Sequence, residues 1–289
     1  MESGPDYDRD EAGYTPDFDP VGASPGGAGQ ELVLPLPPAR LPTAKHAGKA
    51  LVAYLVTQLA CGFMVGTIAS LIAVASGVTS TETEEFKQIT TQVLQYSLVP
   101  IMIISGLVVL MVTRSMAADA MTDGSPLGIG WCRCSPFSLL VGVLLGAMVS
   151  GSFLLLLSIM FSGGQPGSEG PLAEMASQGG ITRLLFAILA VICAPLVEEF
   201  LFRGVMLAGF TRSWGLPVAV VLCSTIFVAL HITELLRFWP ATFGLAGIAA
   251  LTMWLRIRTR SLGPAVAAHL GYNGLLVLYV YLASLLAHV

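Results

Sequence analysis

The sequence predicts an all-α membrane protein, a polytopic bundle of about seven transmembrane helices. Hydrophobic residues make up 55% of the 289 residues and charged residues only 11%, with a mean hydropathy of +0.78. Soluble domains carry roughly 25% charged residues, so the composition excludes an ordinary soluble globular protein. Apolar runs of about 20 residues, the length that crosses roughly 30 Å of hydrocarbon, recur along the chain.

The first 45 residues differ in composition from the rest. Residues 1–45 hold eight acids and three bases, a net charge of −5, whereas 46–289 hold ten acids and eleven bases, a net charge of +1. Residues 1–45 are also rich in Pro and Gly and lack apolar periodicity, which predicts a disordered cytoplasmic tail. No basic region followed by an apolar core stands near Met1, so we do not expect a signal peptide. Residues 46–289 are the predicted transmembrane domain.

Seven apolar segments are long enough to be transmembrane helices. Their predicted ranges are 49–77, 93–115, 135–161, 181–209, 215–235, 239–257 and 262–287. Polar, basic or Gly-rich linkers separate them. An eighth, short helix within 80–92 or 166–180 is the alternative count.

Basic residues predict the orientation of this bundle. They stand before the first span and after the fourth and sixth, at Arg40, Lys45, Lys49, Arg212, Arg256, Arg258 and Arg260. The linkers after the first and third spans are acidic. Because cytoplasmic loops are enriched in Lys and Arg, we expect a cytoplasmic N-terminus and, with seven spans, a C-terminus outside, in the plasma membrane. The three arginines after the sixth span are interpreted as an anchor at the cytoplasmic surface.

Glycines and cysteines in the spans are interpreted as structural. Gly142 and Gly146, in GVLLG, form a small-xxx-small pattern that indicates close helix packing within the bundle rather than a dimer interface. The five cysteines do not suggest a disulfide framework, and the pair Cys132 and Cys134 is weak evidence for a metal site.

Two glutamates and an arginine interrupt an otherwise apolar run in APLVEEFLFRG, residues 194–204. An ion at the centre of a membrane helix costs roughly 2.5–3.5 kcal/mol on insertion scales, so such residues are read as functional. Glu199 and Arg203 are four residues apart in the favourable order, and we expect them to form an ion pair. Glu198, about 100° round the helix, is then free to face another group.

Two histidines within later spans are candidate partners of Glu198. Glu198 and His231 lie about 15 and 17 residues from the turn near 212–215, roughly 22–26 Å along their helices and therefore at matching depth. His269 and Asn273 are four residues apart, so imidazole and carboxamide project from one helix face. His269 lies only about nine residues, roughly 14 Å, from the preceding basic turn, so its predicted depth fits less well.

These residue types predict peptide-bond hydrolysis by one of two routes. A carboxylate and an imidazole can deprotonate a water, while a second His and an Asn donate hydrogen bonds to the oxyanion. Alternatively, one carboxylate and two imidazoles, from Glu198, His231 and His269, could ligate zinc and leave a position open for water. The sequence has no G-x-S-x-G nucleophile elbow, since the match GASPG at residues 22–26 lies in the Pro/Gly-rich tail, and it has no H-E-x-x-H, so a serine hydrolase or an ordinary zincin is not supported.

Three motifs, in this order and spacing, resemble those of a known family. EEFLFRG is similar to its E-E-x-x-x-R motif, FVALH to its F-x-x-x-H motif, and HLGYN to its terminal H-x-x-x-N motif. The chain resembles the CPBP family of intramembrane proteases over roughly residues 180–280. That family is related to the type II CAAX prenyl endopeptidase and to bacterial abortive-infection (Abi) membrane proteins. Spans one to three and the acidic tail match no motif of this family.

The resemblance implies a role for each of the six candidate residues. Glu198 would activate water with His231, His269 and Asn273 would stabilise the oxyanion, and Glu199 and Arg203 would support the site. The substrate would be a membrane protein or a lipidated peptide. The family is often described as metal-dependent, yet a glutamate mechanism without metal has also been proposed, so zinc and no cofactor both remain open.

Two other function classes remain open. Intramembrane Glu and His also form the relays of ion- or proton-coupled transporters, although the chain shows no inverted repeat and no pair of matched broken helices. A non-proteolytic scaffold with the same fold would bind membrane partners without catalysis. We expect no nucleic-acid partner.

Overall fold

The computed structural model describes residues 41–78, 80–161 and 180–286, and the regular structure in these ranges is helical. Two of the predictions fall largely elsewhere. Residues 1–40 of the predicted acidic tail lie outside the described residues. Residues 166–179 of the alternative short helix, predicted within 166–180, also lie outside them.

Eight helices are present in the described ranges. They are α1 Ala44–Ala75, α2 Glu84–Ala117, α3 Pro136–Met160, α4 Gly180–Trp214, α5 Leu216–Ala229, α6 Ile232–Arg237, α7 Ala241–Thr259 and α8 Leu262–Leu286. A short 3-10 turn, Ala118–Ala120, follows α2.

Five of these helices, α1, α2, α3, α4 and α8, are long and apolar enough to cross a membrane. The chain is therefore an all-α integral membrane protein, as predicted. The count of seven is not confirmed in the described residues. The predicted fifth span is divided at His231 into α5, of 14 residues, and α6, of 6 residues, and α7 carries Arg256 and Arg258 in its last turn.

The helix ends follow from local sequence. The side chain of Thr83 accepts a hydrogen bond from the Phe86 N–H at 3.2 Å, so α2 begins at Glu84 and no separate helix forms within 80–92. Gly215, at φ 83°, separates α4 from α5. The turn predicted near 212–215 is thus confirmed.

Small residues bring α3 and α8 into close contact. A Cβ atom added at Gly142 would lie 2.6 Å from the carbonyl oxygen of Pro264, and one at Gly146 would overlap the backbone of Ala268. Both glycines are buried. The predicted role of this pattern in packing within the bundle is confirmed.

Burial is concentrated on the second half of α4. Every residue from 199 to 210 is buried, whereas only 17% of the most apolar window of α1 is buried, against 44% for that of α8. The segment that follows Glu198 therefore lies at the centre of the bundle, and α1 presents much of its apolar surface outward, as expected for a helix that faces lipid.

Arg256 lies inside the protein, and its interpretation as a surface anchor is wrong. Its side chain is 0% exposed, whereas Arg258 and Arg260 are exposed. It donates three hydrogen bonds to the loop between α2 and α3. The acceptors, at 2.7–3.1 Å, are the carbonyl oxygens of Gly124, Ser125 and Gly128. A charge pattern alone cannot separate this residue from its neighbours, because only the fold places carbonyl groups around it.

Candidate active site

Helix α4, which carries the glutamates, contains both α-helical and π-helical turns. Two wider π-helical segments, Leu189–Cys193 and Phe200–Met206, stand on either side of the α-helical segment Ala194–Glu199. π-helical turns are rare and occur frequently at functional sites. Hydrophobic periodicity did not predict these π-helical turns. The available signal was Pro195, which lacks the N–H that a regular helix needs.

Glu199 is the centre of a buried ionic network. Its Oε1 lies 3.2 Å from Nη1 of Arg203, and the two side chains are 0% and 1% exposed. The predicted ion pair is therefore present. Arg203 also donates through Nη2 to the carbonyl oxygen of Ala249 on α7, at 3.2 Å. This second contact links the network to a neighbouring helix.

His269 is bracketed by the two adjacent glutamates. Its Nδ1 lies 2.8 Å from Oε1 of Glu199, and its Nε2 lies 3.8 Å from Oε2 of Glu198. The side chain of Glu198 is 13% exposed, whereas that of Glu199 is 0% exposed. Of the two carboxylates, only Glu198 is accessible to another molecule.

The predicted mismatch in the depth of His269 is wrong. A count of residues from the basic turn gives that depth only if α8 starts at the surface of the bundle, level with the end of α4. Leu262, the first residue of α8, is only 2% exposed and donates its N–H to the Gly130 carbonyl at 2.9 Å, whereas Trp214 at the end of α4 is 53% exposed. Because α8 starts in the interior, a short stretch of helix carries His269 to the glutamates.

His231 stands at the break between α5 and α6. Its Nδ1 lies 2.9 Å from the carbonyl oxygen of Phe227. Because a carbonyl oxygen only accepts, Nδ1 is the donor in this contact, and in the singly protonated ring Nε2 is the acceptor. In the part of the chain that the structure describes, His231 forms no ion pair with Glu198. Of the described histidines, His269 is therefore the nearest to Glu198.

Phe227 packs among the polar groups of the site. Its ring centroid lies 4.9 Å from that of His231 and 6.0 Å from that of His269. The guanidinium carbon of Arg203 lies 4.5 Å from the same centroid, within cation–π range. The sequence placed Phe227 and His231 on one helix face, but only the fold shows that this ring contacts three candidate residues.

Asn273 contacts α4 away from the glutamates. Its Nδ2 donates to the carbonyl oxygen of Ala190, in the first π-helical segment, at 2.7 Å. The carboxamide is half-buried and keeps a second N–H. The structure therefore gives Asn273 a contact that its shared helix face with His269 did not predict.

The zinc ligand set is not assembled. Within residues 41–78, 80–161 and 180–286, no group of three or more His, Cys, Asp and Glu side chains is close enough to hold a metal ion. Glu198 and His269 are neighbours, but the third predicted ligand, His231, does not join them. These residues do not fit a zinc site as they stand.

Two apolar cavities of about 410 Å³ and about 500 Å³ lie beside the glutamate-bearing segment. Trp131 and Leu196 line both cavities, so these two side chains form the wall between them. One arginine borders each cavity, Arg114 the first and Arg133 the second. Cavities of this kind fit ligands that have an apolar chain and a polar or anionic end.

Residues 180–275 match the model of a protein family described as Type II CAAX prenyl endopeptidase Rce1-like. The matched range contains all six candidate residues, Glu198, Glu199, Arg203, His231, His269 and Asn273. It excludes α1, α2 and α3, which matched no motif in the sequence analysis either. No curated protein and no solved structure matches the chain.

Proposed function

Because this chain belongs to the CPBP/CAAX protease family, we propose that it is an intramembrane endopeptidase acting on a membrane-associated or lipidated protein. The observation that carries the proposal is the bracketing of His269, with Glu199 at Nδ1 and the accessible Glu198 facing Nε2. A carboxylate that orients an imidazole beside a second, free carboxylate is an arrangement suited to acid–base chemistry.

Glu198 is the proposed general base. A separation of 3.8 Å from His269 is too long for a direct hydrogen bond, and a water that contacts both groups would be held beside the carboxylate. Glu198 takes a proton from this water as the oxygen attacks the carbonyl carbon of the substrate. The same proton then passes to the leaving amine as the C–N bond breaks. The acceptor Nε2 of His231 assists in activating the water.

Asn273, and His269 in the form that is protonated at both ring nitrogens, are the proposed oxyanion donors, because Nδ1 of His269 already donates to Glu199 and Nε2 can donate only in that form. Each removal of such a donor costs roughly 10²–10³ in kcat. Glu199 and Arg203 hold His269 in place rather than contacting the substrate, since both are buried. The two apolar cavities beside Leu196 support a lipidated or membrane-embedded substrate, because they offer apolar surface next to the catalytic segment.

Replacement of Glu198 tests the assignment. Cells expressing wild type, Glu198→Ala and the control Glu85→Ala are compared by mass spectrometry of their membrane peptides. Glu85 is an exposed glutamate in the first turn of α2. We expect cleavage products with wild type and Glu85→Ala and a loss of at least about 10²-fold with Glu198→Ala, at an unchanged thermal midpoint. Products that persist in Glu198→Ala, or that never appear, would overturn the proposal.

Chelation tests the role of metal. Because the three predicted ligands are not assembled, we propose that water activation depends on Glu198 rather than on zinc. Cleavage by the purified protein should then continue in EDTA. Inhibition by EDTA that added zinc reverses would show that a metal is needed.

We also propose that residues 1–45 and the basic helix ends are cytoplasmic, in the plasma membrane. The start of α1 and the end of α4 lie together, since the Ala44 N–H donates to the Ser213 hydroxyl at 2.9 Å. Both ends carry bases, Lys45 and Arg212. An Arg212→Cys variant should be labelled by a membrane-impermeant maleimide in inside-out vesicles, whereas labelling of intact cells would reverse the orientation.

A further inference from the structure

We infer that Asn273 supplies the hydrogen bond that Pro195 withholds from α4, and thereby positions the segment that carries both glutamates. The hydrogen-bond part of this inference stands on the structure alone. Its consequence for catalysis rests on the proposed function. Nothing in the sequence motif requires this role, because the motif places Asn273 beside His269 and not beside Pro195.

The missing donor follows from the backbone pattern of the first π-helical segment. The Ala194 N–H donates to the carbonyl oxygen of Leu189, five residues earlier. Continued by one residue, this pattern would require the N–H of residue 195 for the carbonyl oxygen of Ala190. Residue 195 is proline, which has no N–H. The Ala190 carbonyl is therefore left without its helical donor.

Asn273, on α8, donates the hydrogen bond that the Ala190 carbonyl lacks within α4. Its Nδ2 lies 2.7 Å from the Ala190 oxygen, a short hydrogen bond. Backbone carbonyls inside a protein are almost always paired, and in hydrocarbon no water replaces a missing partner. A carboxamide donor on α8 thus satisfies a defect that proline creates on α4.

Helix α8 therefore holds α4 at two points. Asn273 bonds Ala190 before the glutamates, and His269, one turn earlier on α8, bonds Glu199 at 2.8 Å. Glu198 lies between the two contacts along α4. Since a misplacement of about 1 Å in an active site can cost about 10²-fold in rate, the Asn273 contact positions Glu198 against Nε2 of His269. The second N–H of the carboxamide remains available for the substrate.

A double substitution tests this positioning role. Asn273→Ala removes the donor, whereas Pro195→Ala returns a backbone N–H to α4. Asn273→Ala should lower the thermal midpoint by about 2–4 °C, increase amide hydrogen exchange in 189–199, lower kcat by about 10²-fold and alter the pH profile of kcat/KM. Pro195→Ala combined with Asn273→Ala should restore the midpoint, the exchange rates and the pH profile, and should recover about tenfold of the lost kcat.

The outcomes separate this inference from the proposed function. A midpoint and exchange pattern that Asn273→Ala leaves unchanged, or that Pro195→Ala fails to restore, would overturn the inference whether or not the protein cleaves peptides. Restored stability with an unrestored kcat and pH profile would refute the positioning of Glu198 while leaving the hydrogen bond. If wild type shows no peptidase activity, the proposed function fails, and the stability cycle still decides the hydrogen-bond part.

Discussion

Two arginines are fully buried in the described part of the chain, and they are held in opposite ways. Arg203, on α4, is 1% exposed and Arg256, on α7, is 0% exposed. Arg203 is held by the carboxylate of Glu199 and by the face of Phe227. Arg256 is held by three backbone carbonyls of one loop, through aligned hydrogen bonds of 2.7–3.1 Å. One buried cation belongs to an ionic network and the other fastens a loop.

The two arginines also differ in how many polar atoms around them have hydrogen-bond partners. In the described ranges, Nε and Nη1 of Arg203 and Oε2 of Glu199 have no hydrogen-bond partner, so the 3.2 Å contact is an ion pair without hydrogen-bond alignment. Of the polar side-chain atoms of Arg256, by contrast, Nε alone lacks a hydrogen-bond partner. A network with polar atoms left over is costly to bury, and this one stands beside the accessible Glu198. The better satisfied Arg256 has a purely structural environment. Burial of a charge therefore does not by itself identify a catalytic residue.

Arg203→Leu should have the largest effect, because it leaves Glu199 as an uncompensated buried charge. Loss of one partner of a buried pair costs about 3–5 kcal/mol. We expect this loss in the free energy of unfolding, together with loss of peptidase activity. The double variant Glu199→Gln with Arg203→Leu should recover much of the stability but not the activity, since His269 loses its carboxylate. Stability that the double variant does not recover would show that the Arg203 pair is not the source of the loss.

Arg256→Met should have a smaller effect and a different signature. The substitution leaves carbonyls of the loop without their donor, and a buried unsatisfied group costs about 1–3 kcal/mol. Arg256→Lys should recover only part of this free energy, because one ammonium group cannot reproduce the hydrogen bonds that the planar guanidinium group donates to three carbonyls. The pH profile and kcat of the remaining folded protein should equal those of wild type. A changed pH profile would contradict the separation of the two arginines.

Arg258→Gln should have the smallest effect of the three substitutions. Arg258 lies two residues after Arg256 on the same helix but is exposed. Exposed substitutions usually change the free energy of unfolding by no more than about 0.5 kcal/mol, and chemical denaturation in detergent measures this difference. A loss as large as that of Arg256→Met would mean that the whole basic turn is structural, which burial alone does not predict.

Contacts of short range were predictable from the sequence. Glu199 and Arg203 are one helical turn apart, so a regular period was enough to predict their pair. Gly142 and Gly146 have the same spacing, and their small size predicted the close packing that α3 and α8 show. Residue roles in the site remain predictions, because geometry alone does not test catalysis.

Predictions over longer range failed where the backbone departs from a regular helix. The depth of His269 was underestimated because α8 begins in the interior, at Leu262. The seven-helix count is not confirmed, since a break at His231 divides one predicted span. Residue counts give comparable depths only along uninterrupted helices that begin at the same level, whereas one predicted span is broken at His231 and α8 begins at the buried Leu262.

Composition and motif spacing were enough to predict an all-helical integral membrane protein and to select the candidate groups of its site, because both are local properties of the chain. Which of these groups meet depends on how the helices pack. This packing placed both glutamates around one imidazole, Asn273 on the carbonyl opposite Pro195, and Arg256 on a loop rather than at the surface. Each of these contacts joins segments that are distant along the chain, so its partners are set by tertiary packing rather than by periodicity.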